Sequence, residues 1–187
     1  MSLLWPSTQD PRDAAAGPES SLLLPAADGV PMDERAAEFG REARERYGLE
    51  IDIEEFPEGT ETAAEAADVV GCDLAQIASS LVFVADGTPV VVVTSGANRV
   101  DEGRLADILD AADVRMADPE EVTEATGYSV GGVPPFCHDG DPQVLIDETL
   151  LSHEEVWAAA GTPETLFPIA PDHLVEAADA IPADVTG

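Results

Sequence analysis

The sequence predicts an α/β (mixed α+β) domain, a mixed β-sheet surrounded by helices, on three observations. Helical and strand periodicities interleave along the chain from about residue 32. Two strands are adjacent and joined by a tight turn, which a regular doubly wound sheet would not contain. One of those strands, "PVVVVTSG", is apolar on both faces and so belongs at the sheet centre.

Each element has a local reason. "MDERAAEFGREARERYG" places Ala36, Phe39, Ala43 and Tyr47 on one helical face and closes on Gly48, a C-cap signal. "LEIDIEEF" alternates Leu49, Ile51 and Ile53 with acidic residues, the pattern of a half-buried strand. "TAAEAADVVG" opens with Thr62 and Glu65 in capping-box spacing. "IASSLVFVAD" and "PVVVVTSG" are strands joined by the turn "DGTP". "DEGRLADILDAA" is an amphipathic helix, and "DPEEVTEATG" is another, with Asp118 as N-cap, Pro119 in the first turn and Glu121 completing the box. "QVLID" and "ETLFPIA" are strands, "PDHLVEAAD" a terminal helix. "SHEEVWAAAG" is open to both readings: Ser152 and Glu155 have capping-box spacing, whereas Val156 and Trp157 suit a strand.

Residues 1–31 are proline-rich and aperiodic, the pattern of a flexible extension, and Met32 offers an alternative start. The domain is expected over residues 32–180, with 181–187 as a C-terminal tail. The extension lacks the basic-then-apolar order of a secretory signal, and no apolar run approaches the ~20 residues of a membrane span. Two cysteines make no disulfide framework, so a reducing cytoplasm is the expected location.

Charge is the extreme feature. The chain has 39 Asp and Glu against 8 Lys and Arg, a formal net charge of -31, and every basic residue is an arginine. Because acidic and core-like residues share the same segments, a folded domain with an acidic surface is expected, as opposed to an acidic tail. Such a surface suits a cytoplasm at ~1 M salt, where a Debye length of ~3 Å screens its self-repulsion. A basic nucleic-acid footprint is missing: Arg35, Arg41, Arg44 and Arg46 are interleaved with Glu34, Glu38, Glu42 and Glu45, as on a solvated face with internal ion pairs. Duplex DNA is therefore not an expected partner.

The sequence contains no Walker loop, dinucleotide fingerprint, nucleophile elbow or HExxH motif. Cys72, Cys137, His138, His153 and His173 show no paired ligand spacing, so neither a metal nor another cofactor is expected. Cys137 and His138 are chain neighbours whose side chains would diverge, and they are expected as polar residues at the rim of a loop. "ATGYSVGGVPPF" is the informative stretch. Gly131, Gly132, Pro134 and Pro135 should make a stiff loop of unusual shape, whose exposed N–H groups suit a phosphate, a carboxylate or an oxyanion. A purely structural turn fits these residues equally.

Five segments together resemble the YbaK/prolyl-tRNA synthetase-associated domain family of aminoacyl-tRNA deacylases. They are "FPEGTETAAEAADVVGCDLAQIASSLVF", "VVVVTSGANRVD", "ADPEEVTEATGYSVGGVPPF", "VLIDETLL" and "HEEVWAAAG", in family order across residues 32–178. The resemblance implies a mixed, strongly curved sheet and hydrolysis of the ester joining a wrong amino acid to the terminal adenosine of a tRNA. The expected partners are that aminoacyl-adenosine and an aminoacyl-tRNA synthetase. It also implies a substrate cradle at Gly131, Gly132 and Pro135, walled by Val133 and Pro134. Many members have lysine where this chain has Ser79, ahead of a small hydroxyl residue matching Ser80. Those serines are thus expected as a substituted polar corner, with Ser79 among the catalytic positions and Ser80 binding substrate. Asp147, Thr94 and Ser95 are further candidates for substrate binding, with a structural hydrogen-bonding role open for Asp147. Loss of the lysine leaves two readings: a variant deacylase, or a pocket that binds without cutting and serves as an adaptor or regulator.

Overall fold

Strong local signals fix most of the architecture. The computed structural model describes residues 34–56 and 62–186, so the predicted extension at residues 1–31 lies outside it. Five α-helices are described: α1 (Glu34–Tyr47), α2 (Ala63–Val70), α3 (Glu102–Leu109), α4 (Pro119–Thr126) and α5 (Pro171–Ala178). The strands are β1 (Glu54–Glu55), β2 (Ile77–Ala85), β3 (Thr88–Ser95), β4 (Val114–Met116), β5 (Gln143–Asp147), β6 (Val156–Ala159), β7 (Thr165–Ile169) and β8 (Ile181–Ala183). Their order is β1-β7-β6-β2-β3-β5-β8, with β4 also paired to β2. Parallel and antiparallel neighbours coexist, so the sheet is mixed as predicted.

The capping boxes at Thr62/Glu65 and Asp118/Glu121 are both formed. The β2–β3 hairpin turns on Asp86 and Gly87, both at positive φ, as a two-residue turn matched to strand twist requires. Thr88 and Pro89, predicted in that turn, already belong to β3. On β3, Val91 and Val93 join a core cluster with Phe39, Phe136 and Phe167, while Val90 and Val92 join Leu105, Leu145 and Val185 on the other face. Burying both faces of this strand is what its unbroken valine run specifies.

Three expectations differ from the structure. Leu49, Ile51 and Ile53 are half-buried between exposed acidic residues, but only Glu54 and Glu55 reach a partner, Leu166 and Thr165. Periodicity set the burial; the position of β7 set where pairing begins. The ambiguous segment 152–161 divides: Ser152 ends a short 3₁₀ helix and Val156–Ala159 is strand, because β2 and β7 both offer it backbone partners. Residues 181–187, expected as a tail, contain β8, which pairs in parallel with β5, and Val185 is fully buried. A three-residue strand is too short to leave a periodic signal.

Candidate active site

Strand β2 runs through the centre of the site, and its pairing is incomplete. On one side it is hydrogen-bonded to β3 along its whole length. On the other, β6 covers Ile77 and Ala78, and β4 covers Phe83 to Ala85. Among the described residues, no strand pairs with residues 79–82 on that side. The Ala117 N–H donates to the Val82 carbonyl across the gap at 3.0 Å, and Gly96 N–H donates to the Ile77 carbonyl from the β3 side at 2.7 Å. Backbone direction alternates along a strand, so the main-chain groups of Ser80 also face the gap.

A cavity of about 230 Å³ occupies this gap. Its floor is β2 from Ile77 to Val82, and α2 contributes Thr62, Ala63 and Ala66. Trp157, Ala159 and Leu166 close one side, Ala117 and Val122 another. Met116 and Val130, 51% and 56% exposed, stand at the rim. Among the described residues, no lining side chain is charged. Thr62 and Ala63 lie at the N-terminal end of α2, so the positive end of that helix dipole faces the cavity.

Ser79 and Ser80 both line the cavity but leave the strand on opposite faces. Ser79 lies across from Thr94, and Ser80 across from Val93 on the face that Val82 and Val133 share. The Ser80 hydroxyl is buried, and among the described residues it makes no hydrogen bond.

Of the predicted cradle, Gly131 and Val133 line the cavity, whereas Gly132, Pro134 and Pro135 are buried and outside the lining. The two glycines serve different needs. Gly131 sits at φ +91°, where an L side chain is strained, and a Cβ there would meet only the Pro163 ring, at 3.7 Å. A Cβ on Gly132 would lie 2.7 Å from the Thr162 Cα, so the chain there is pressed against other backbone, not held open for substrate. The loop is stiff because both ends are anchored. Before it, Arg35 lies 4.3 Å over the Tyr128 ring and donates to the Gly127 carbonyl. After it, Phe136 packs against Phe39 and Phe167, with ring centroids 5.3 and 5.9 Å apart.

Cys137 and His138, expected at the rim, are 1% and 6% exposed. Burial pushes the Cys137 thiol up to about 12, leaving no thiolate at neutral pH. His138 Nε2 donates to the Pro134 carbonyl at 2.7 Å and thereby pins the loop from within. Burial moves its proton affinity below the ordinary histidine value. Sequence reasoning missed this role because a histidine that staples its own loop looks, in sequence, like one facing solvent.

Asp147, Thr94 and Ser95 form a separate polar cluster outside the cavity lining. Asp147, 1% exposed, accepts from Thr94 Oγ1 at 3.2 Å, Ser95 N–H at 3.3 Å, Asn98 Nδ2 at 2.9 Å, and Thr149 N–H and Oγ1 at 3.0 and 2.8 Å. Burial alone would raise this carboxyl; the donors, led by Asn98, hold it below the usual range. Trp157, Met116, Val130 and the start of α2 were not foreseen as lining. The strand alternation around Val156 was the available signal for Trp157.

The family model described as the aminoacyl-tRNA editing domain matches residues 57–177. Uncharacterized protein YwhH of Bacillus subtilis (strain 168) is 30% identical over 131 residues, covering 70% of this chain and 83% of that protein. A proline–tRNA ligase of Lactobacillus johnsonii is 35% identical over 92 residues, 49% of this chain but only 16% of that enzyme. A solved structure described as a candidate trans-editing enzyme for prolyl-tRNA synthetase superposes with a TM-score of 0.80 at 38% identity, covering 84% of this chain and 99% of that one. The chain therefore belongs to the aminoacyl-tRNA editing domain family, the YbaK/prolyl-tRNA synthetase-associated group.

Proposed function

We propose that this protein is a trans-acting deacylase that hydrolyses the ester of a small amino acid mischarged on tRNA. The observation that carries the reading is the cavity, without a charged side chain among the described residues, where Gly131 and Val133 meet the stretch of β2 at Ser79–Ser80 that is left without a strand partner on one side. A cavity of this size suits a small aminoacyl group, and its wall is mostly apolar. The anchored loop and the Ser80 rung offer fixed main-chain donors to a carbonyl that gains negative charge as water attacks. The N-terminal end of α2 adds positive potential of the sign that the family lysine supplies elsewhere. No nucleophile is required, since positioning plus oxyanion stabilisation suffices for an activated ester.

Recognition of the terminal adenosine by shape and hydrogen bonds is compatible with a net charge of -31, whereas tight binding along a tRNA backbone is not. We place the protein in a high-salt cytoplasm, working beside an aminoacyl-tRNA synthetase. One observation favours the second reading, a pocket that binds an aminoacyl or nucleotide ligand as an adaptor or regulator: among the described residues no lining side chain is charged, so none of them replaces the family lysine with another cation.

The test is deacylation of tRNAs charged with alanine, cysteine, serine, threonine and proline, in molar potassium chloride, with Gly131→Ala as control. Selective release of one amino acid, lost in the variant, supports the deacylase. Folded protein with no release above the uncatalysed rate supports the binding module.

A further inference from the structure

We infer that the Ser80 hydroxyl selects the substrate: it favours aminoacyl groups that carry a hydroxyl on the β-carbon, serine and threonine, over alanine. The inference rests on the deacylase reading for its substrate class.

Ser80 Oγ is buried in the cavity wall and, among the described residues, has no hydrogen-bond partner. Two other hydroxyls of this region have theirs. The Thr62 hydroxyl accepts from Glu65 N–H at 3.1 Å, and Ser95 Oγ donates to the Ala75 carbonyl at 2.8 Å. A buried polar atom left alone is costly, and here the cavity contents are placed to supply its partner.

The wall narrows what that partner can be. On the Ser80 face it is built from Val82, Val122 and Val133, without a charged side chain among the described residues. An ammonium or carboxylate buried there would face a single hydroxyl and lose most of its hydration. A methyl group would leave Ser80 alone. A hydroxyl both donates and accepts, as Ser80 does, and enters neutral. The substrate's ammonium group then stays toward the open rim near Met116 and Val130. Discrimination of this kind is stronger than discrimination by size, because the wrong substrate strands a polar group.

The experiment measures release from full-length tRNA charged with serine, threonine or alanine, using the full chain, Ser80→Ala and Ser80→Thr in molar potassium chloride. A parallel arm measures binding of the non-hydrolysable serine and alanine amides of 3′-amino-3′-deoxyadenosine. Serine should leave about tenfold or more faster than alanine. Ser80→Ala should bring that ratio toward one, and Ser80→Thr should retain it. Hydrolysis of both esters with an equal ratio in wild type and Ser80→Ala overturns the selector and leaves the deacylase standing. Without hydrolysis, tighter binding of the serine amide that Ser80→Ala abolishes upholds the selector and sinks the deacylase. Equal binding of the two amides, or binding of neither, overturns the selector.

Discussion

Two polar clusters flank the β2–β3 pair, and they are built on opposite terms. At Asp147 one carboxylate accepts five hydrogen bonds, and each arm ties down a different piece of chain. At Ser80 a hydroxyl is buried with nothing to bond among the described residues. Both would pass for candidate sites in sequence, as short polar residues on strands. Satisfaction separates them: a saturated cluster has no valence left for a ligand, whereas an orphaned group acquires one only when the cavity is filled.

Asp147→Ala should give the largest effect. It strands Thr94, the Ser95 N–H and Asn98, and should cost about 3 kcal/mol in urea unfolding. A fully stable Asp147→Ala protein that had lost activity would reverse the assignment and make Asp147 part of the site.

The loop glycines extend the same contrast. Gly132→Ala drives a Cβ to 2.7 Å from Thr162 Cα, so backbone must shift, at a cost of roughly 2–3 kcal/mol. Gly131→Ala makes only ordinary contact with Pro163 and bears the left-handed backbone penalty, about 1–2 kcal/mol. Unfolding midpoints in the reverse order would mean that the loop packs differently against Thr162.

Ser80→Ala should move stability the other way, leaving it unchanged or raising it by up to about 1 kcal/mol, because an orphaned hydroxyl is removed. Calorimetry in the absence of substrate reads this directly. A clear loss of stability would show that Ser80 has a structural partner after all, and the contrast with Asp147 would collapse.

The smallest effect is on pH. His138 has a depressed proton affinity in the fold, so its contribution is fully present above the ordinary histidine value of about 6.5 and is lost as pH falls through the lower folded value. Burial is the main cause, offset by the Pro134 carbonyl, with Arg46 lowering and Asp139 and Asp141 raising the affinity. Protection factors of the amides in residues 131–137, corrected for intrinsic exchange, should therefore fall as pH drops below the ordinary histidine value, before those of the sheet do. Simultaneous loosening of loop and sheet would show that His138 is no local staple.

What could be read in the sequence was whatever is local. The capping boxes at Thr62 and Asp118, the Asp86–Gly87 turn and the valine run of β3 each depend on a few consecutive residues, and each was formed. The placement of Gly131 and Val133 beside Ser79 and Ser80 was reached through family resemblance, since no spacing rule links positions so far apart. The saturation of Asp147 was not legible, because its donors come from residues 94, 95, 98 and 149. Nor was the burial of His138.

By itself, then, the sequence determined the helices, the central hairpin and the family, all properties of short stretches of backbone and side-chain pattern. Tertiary structure alone decided that β6 and β4 stop short of one another along β2, and that Gly132 is spent on Thr162 while Gly131 faces the cavity. It also left the buried Ser80 hydroxyl without a partner among the described residues. Each of those depends on which distant backbones approach within a few ångströms, and hydrogen bonding and close packing are settled only at that range.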